Sequence, residues 1–132
     1  MSVFADTSGL YAVFDADDKN HHTAKVAWTK WLRAREPVVT NNYVLIETLA
    51  LLQHRIGLAA VRTFHEDVMP LLQVEWVSED QHRAGVEAAL AATRRKLSVV
   101  DCVSFRTMRQ RGLRTAFCFD AHFREQGFDT KP

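Results

Sequence analysis

Four acidic side chains stand where acids are seldom placed. Asp6 lies in "VFADTS", Glu47 in "YVLIETLAL", Asp101 in "SVVDCVSF" and Asp120 in "FCFDAHF", each flanked by apolar residues. A carboxylate is costly to surround with apolar atoms unless something pairs with it. Clustered carboxylates also raise one another's pKa values unless a cation intervenes. A hard divalent ion removes that difficulty. Oxygen donors of this kind suit Mg²⁺ or Mn²⁺, and Mg²⁺ keeps several waters and needs only a few carboxylates. Such a centre can activate water and stabilise charge on a phosphoryl group. Singly, each acid has a plainer reading. Asp6 or Asp101 could cap a helix, Glu47 could pair with Arg55, and Asp120 could be a turn residue. Those readings serve each acid alone better than they serve all four together.

Other chemistries fit less well. The six histidines show no H-E-x-x-H pattern, and "HED" at 65–67 lacks its second His. His21 and His22, at a helix start, read as solvated. No G-x-S-x-G, P-loop or G-x-G-x-x-G motif occurs. "DTSG" lacks the D-x-D of phosphatases that form an aspartyl-phosphate, which weakens a nucleophilic-Asp mechanism.

The elements that must position the acids alternate. "SVFA" reads as a buried strand followed by a helix over "DTSGLYAVFD". In "KNHHTAKVAWTKWLRAR", Ala24, Trp28, Trp31 and Leu32 fall at helical spacing. "PVVT" is a second strand. Asn41 or Asn42 caps the helix "NYVLIETLALLQHRIG", which Gly57 ends. "LAAVRTFHEDVMPLL" is helical with Pro70 near its end, "QVEWV" alternates as a third strand, and Ser78 caps "EDQHRAGVEAALAATRRK". "LSVVDCVSFRTMRQRG" is a helix, "TAFCF" a fourth strand, and "GFDTKP" a short fifth strand or simply the tail. Strands alternating with helices imply an α/β domain around a mostly parallel sheet of four to five strands. Asp6 and Asp120 then end strands one and four, where ligands of open parallel sheets bind. Asp101 opens the helix before the last of these, and Glu47 faces core or crevice.

At 132 residues the chain reads as one domain spanning 1–132, with an average apolar fraction of 47% and a net charge of +1 that neither requires nor excludes nucleic acid. The start "MSVFADTSGL" has no basic region before an apolar one, and no apolar run nears about 18 residues. A cytoplasmic protein with no membrane association is expected. Cys102 and Cys118 read as small core residues rather than a disulfide or zinc pair.

Together "FADTSGLYAVFD", "NNYVLIETLALL", "LSVVDCVSF" and "AFCFDAHFREQGF" resemble a PIN domain, over nearly the whole chain from Phe4 to Phe128. The compact length resembles the stand-alone toxin nucleases of VapBC-type toxin–antitoxin pairs. This resemblance implies a three-layer α/β/α fold and a metal-dependent endoribonuclease hydrolysing RNA phosphodiester bonds. Asp6, Glu47, Asp101 and Asp120 would form the catalytic Mg²⁺ (or Mn²⁺) site, supported by Thr7 or Ser8. One departure is Cys118, shortly before the last acid, where relatives commonly carry a polar residue. A small antitoxin and a homodimer through the apolar helices "YVLIETLALL" and "AAVRTFHEDVMPLL" are the expected partners. The rival readings are an RNA-processing nuclease without an antitoxin, and a catalytically silent PIN-like module that binds RNA or protein.

Residues 94–114 carry seven cations, Arg94, Arg95, Lys96, Arg106, Arg109, Arg111 and Arg114, against one acid, Asp101. Arg106 and Arg109 are the candidate contacts to an RNA backbone, with a solvated helix face as the plainer alternative. Trp28, Trp31 and Trp76 could stack bases, although their spacing favours core packing.

Overall fold

The computed structural model describes residues 1–92 and 97–132. Arg94, Arg95 and Lys96 of the basic segment lie outside the described residues. Strand β1 (Val3–Ala5) leads to α1 (Thr7–Phe14) and α2 (His21–Arg33); β2 (Val38–Asn41) leads to α3 (Asn42–Arg55) and α4 (Leu58–Thr63). Strand β3 (Gln73–Glu75) precedes α5 (Glu79–Ala92) and α6 (Val99–Arg111), and β4 (Thr115–Phe117) is followed by α7 (His122–Glu125) and β5 (Asp129–Lys131). The five strands form one parallel sheet in the order β3-β2-β1-β4-β5.

Helices cover both faces of the sheet. Phe4 pairs with Ala116 while Ala5 pairs with Phe117, so the pleat turns Phe4 and Phe117 to opposite sides. On one side the Trp31 ring of α2 meets Phe117 edge-on at 4.9 Å. On the other, Phe123 of α7 lies 6.2 Å from Phe4 and 5.0 Å from Phe105 of α6. Strands buried on both faces are accordingly near-continuous apolar runs.

The termini of the helices follow their sequence signals. The Asn41 side chain accepts from the Val44 N–H at 2.8 Å and so caps α3. Ser78 and Gln81 form a reciprocal box at the start of α5, and Ser98 and Asp101 form another at the start of α6. Gly112 closes α6 with φ +66°, a conformation side-chain-bearing residues resist. Trp28 and Trp31 are buried, as their spacing predicts, and Cys102 and Cys118 are buried free thiols.

Several expectations need correction. Trp76 is 65% exposed rather than in the core, because β3 ends at Glu75, one residue before it. The stretch after α4 is not one α-helix: it widens to a π turn over Phe64–Val68 and ends in a 3₁₀ turn over Met69–Leu71. Pro70, without an N–H, cannot continue the α ladder. Strand β4 stops at Phe117 rather than running through 119, since the Phe119 N–H turns to the Ser8 hydroxyl at 3.0 Å. Asp120 therefore lies in the loop beyond the strand, not at its end. The helix α7 was not expected. His21 is half-buried, with Nδ1 2.8 Å from the Ala12 carbonyl oxygen, while His22 is exposed. No helix of the described residues is long and apolar enough to cross a membrane.

Strand β4 approaches α1 closely at Gly9. A Cβ there would stand 2.5 Å from the Phe117 carbonyl oxygen and 2.9 Å from its ring. Backbone cannot yield as a flexible side chain can. Gly9→Ala is expected to cost about 1–3 kcal/mol of stability, read as a lower urea midpoint at unchanged slope. An unchanged midpoint would mean that α1 and β4 part without cost.

Candidate active site

Asp6, Glu47, Asp101 and Asp120 line one crevice of about 380 Å³ beyond the carboxyl ends of the central strands, together with Thr7 and Ser8. The structure thus brings together all six residues expected there.

Asp6 follows β1 directly, and its N–H donates to the Phe117 carbonyl at 3.1 Å. Although it precedes α1, its side chain makes no capping bond to that helix. The carboxylate instead accepts from the Ser8 hydroxyl at 3.2 Å, and that same hydroxyl accepts from the Phe119 N–H. Ser8 therefore ties Asp6 to the loop that carries Asp120. Asp6 is only 4% exposed. Burial first, then Asp120, Asp101 and more weakly Glu47, push its carboxyl up to about 8, opposed by the Thr7 backbone N–H.

Asp101 has two tasks. Its Oδ2 accepts from the Ser98 N–H at 3.2 Å, completing the box that starts α6, and lies 3.2 Å from His122 Nδ1. Burial raises its pKa, the Ser98 N–H opposes this, and Asp120 raises it further. The helix-cap reading therefore holds for Asp101 and not for Asp6. Asp120 accepts from the His122 N–H at 3.0 Å through Oδ1, a local turn contact, and that oxygen lies 3.9 Å from His122 Nδ1. Glu47 is half-buried in α3 and faces the crevice. It does not take Arg55 as its ion-pair partner; the Arg55 guanidinium lies over the Tyr11 ring instead.

The frame under the acids is polar and buried. Asn41, at the end of β2, directs its Nδ2 at Ser104 and Thr107 of α6, at 3.3 and 3.2 Å. This ties the helix of Glu47 to the helix of Asp101. Cys118, buried beneath Asp120, has its thiol pushed up to about 12, by burial first and then by Asp120 and Asp6. It is an inert filler rather than a nucleophile.

Among the described residues, no three Asp, Glu, His or Cys side chains are gathered closely enough to enclose a metal ion by themselves. The donor set nonetheless suits an ion that keeps part of its water shell. It is all oxygen, burial and then the neighbouring acids favour a proton on Asp6, and the buried Thr7 Oγ1 has no hydrogen-bond partner among the described residues.

Arg106 and Arg109 do not line the crevice. Arg109 stacks over Phe128 and bonds Gln126, Arg111 pairs with Glu75 at 2.7 Å, and Arg106 is half-buried. Sequence reasoning missed His122 and the crevice-facing position of Arg55. The one available signal for His122 was its place two residues after Asp120; that its ring reaches Asp101 depends on the unexpected α7.

Residues 3–129 match the PIN domain family. The chain is 38% identical over 128 residues to the "23S rRNA-specific endonuclease VapC20" of Mycobacterium tuberculosis, covering 96% of this chain and 95% of that one. The crystal structure of VapC20, described as a "Sarcin-Ricin loop cleaving toxin", superposes with a TM-score of 0.83 at 36% identity, covering 98% of this chain and 99% of that one. FitAcB from Neisseria gonorrhoeae shares the fold at a TM-score of 0.70 and 14% identity, covering 100% and 97% of the two chains. So does a chain of a toxin–antitoxin complex from Klebsiella pneumoniae, at 0.65 and 15%, covering 90% and 87%.

Proposed function

Because the chain belongs to the PIN domain family, we propose that it is a Mg²⁺- or Mn²⁺-dependent endoribonuclease, the toxin of a type II toxin–antitoxin pair, with a structured loop of ribosomal RNA as its substrate. The observation that carries the reading is the convergence of four acids from four segments on one crevice, with the Asp6 carboxyl pushed to about 8. The likeness to VapC20 supports the substrate class and the toxin reading, from which an antitoxin partner follows. Exposed Ile46, Ile56 and Leu58 support a homodimer through α3 and α4.

In this reading Asp6 and Asp101 are the principal metal ligands, Asp120 completes the site, and Glu47 binds the ion or orients the attacking water. A bound divalent ion lowers the pKa of water and offsets charge on the phosphoryl oxygens. Ser8 holds Asp6 at a fixed angle through its hydroxyl, and His122 holds Asp101 and Asp120 in register from the far side. Burial of Asp6 and Asp101 lowers the local dielectric, which strengthens the charge interactions of these two acids.

Purified protein should cut a hairpin bearing the sarcin-ricin loop at a discrete position with Mg²⁺ or Mn²⁺, and stop on chelation. Cleavage that survives exhaustive EDTA treatment would end the metal reading; no cleavage of any RNA would end the nuclease reading.

A further inference from the structure

An acid-lined crevice repels a phosphodiester as readily as it attracts a cation, so something of positive charge must hold the nucleic acid against it. Among the described residues one Lys or Arg side chain lines this crevice, and it is Arg55, the last residue of α3. Its guanidinium carbon stands 5.1 Å from the centre of the Tyr11 ring. Tyr11 is itself held, since it is buried and its hydroxyl donates to Asp15 Oδ2 at 2.7 Å. The other Asp15 oxygen accepts from the Asp17 N–H at 2.9 Å. Both Asp15 oxygens thus accept hydrogen bonds; Arg55 lies near enough to hydrogen-bond the Tyr11 hydroxyl and to favour the charged form of Asp15, but it forms no ion pair among the described residues.

A guanidinium stacked on an aromatic face keeps its edge N–H groups available while losing side-chain freedom in advance. Those edge donors match a pair of phosphate oxygens, where a Lys offers only a point charge. Position decides which phosphate. Arg55 follows Glu47 by eight residues on one helix, hence on the same face and roughly 12 Å further along the axis. That is too far for both to serve the bond being cut.

We propose that Arg55, stacked on Tyr11, holds a backbone phosphate of the RNA flanking the cleaved bond. The inference rests on the nuclease reading and assigns to its site a substrate-binding residue. Binding is therefore lost in the ground state rather than in the transition state alone, and KM responds more than kcat.

The test measures binding of a fluorescent ribosomal-loop hairpin across a salt series, in the Asp6→Asn background so that the RNA stays intact. Arg55→Ala should weaken binding about tenfold and flatten the log–log salt slope by just under one contact's worth. Arg55→Lys should keep the slope and recover only part of the affinity. In the otherwise native protein, Arg55→Ala should raise KM with kcat little changed, and its melting temperature should match the parent's. An unchanged slope and affinity in Arg55→Ala, while the native protein still cuts the hairpin, overturns this inference alone. So does a fall in kcat at constant KM. Arg55→Lys, which keeps the helix end charged, guards against a folding artefact. A native protein that neither binds nor cuts RNA overturns both this inference and the nuclease reading.

Discussion

Asp6→Asn will silence RNA cleavage and, in the metal-free protein, raise the melting temperature. The sign follows from the carboxyl lying at about 8 in the folded chain, far above an ordinary carboxylate. Below pH about 4 the group is protonated in both folded and unfolded states and costs nothing. As pH rises toward 8 the unfolded chain gives up this proton while the folded chain keeps it, so the native protein loses stability across that window. Asn has no proton to keep and escapes the loss. Each pKa unit is worth about 1.4 kcal/mol, so a gain of about 1–3 kcal/mol for the variant at pH 8 is a restrained expectation. It corresponds to roughly 3–4 °C of melting temperature per kcal/mol. Added Mg²⁺ should offset or reverse the order, stabilising the native protein by about 2.7 kcal/mol at 100 times its dissociation constant and the variant far less. Melts at pH 4 and pH 8, with EDTA and with metal, give the whole pattern. A destabilised Asp6→Asn at pH 8, with no metal-induced shift in the native protein, would make Asp6 structural.

Metal affinity will climb steeply with pH. If Asp6 must release its proton before an ion can take its oxygens, the apparent dissociation constant should fall about tenfold per pH unit until the proton is already gone, near 8. Between pH 6 and pH 8 the change should be about fiftyfold, since about half of the Asp6 carboxyls still hold the proton at pH 8. Titration calorimetry of Mn²⁺ in buffers of different ionisation enthalpy counts the proton directly, and close to one should leave per ion at pH 7. An affinity flat with pH, with no proton released, would remove Asp6 from the ligand set.

The alternation of strand and helix was open to reading because parallel strands covered on both faces are short apolar runs and the caps between them are chemically explicit. Asn41 and Ser78 cap where expected, and Ser98 caps α6 within a stretch read simply as helix. Three of the acids were placed by the same logic, at a strand end, a helix start and a helix interior. Asp120 was expected at the end of β4 by the same logic and lies instead in the loop beyond it. Its loop begins where the Phe119 N–H leaves the sheet for Ser8, a partner 111 residues away in the chain. Such tertiary diversions have no local pattern. The same holds for Arg55, whose neighbour Tyr11 lies on another helix, and for Trp76, whose exposure depends on β3 ending one residue earlier. Asp101 shows how two readings can both hold, since one carboxylate starts α6 and also faces the crevice. For that reason Asp6, which caps nothing, is the sharper substitution.

The pairing of Val3, Phe4 and Ala5 with Thr115, Ala116 and Phe117 sets an order of events during synthesis. The first strand made has to wait for almost the last before the middle of the sheet can close. Asp6 and Asp120 enter one crevice only when that long loop has been drawn shut, a step that non-local topologies complete slowly. A chain still being translated thus carries the first three acids without the fourth, and without the Phe119 N–H that steadies Ser8 beside Asp6. On the ribosomal-RNA reading proposed above, this ordering is protective, because the ribosome building the chain faces an incomplete acid set until Asp120 has been added.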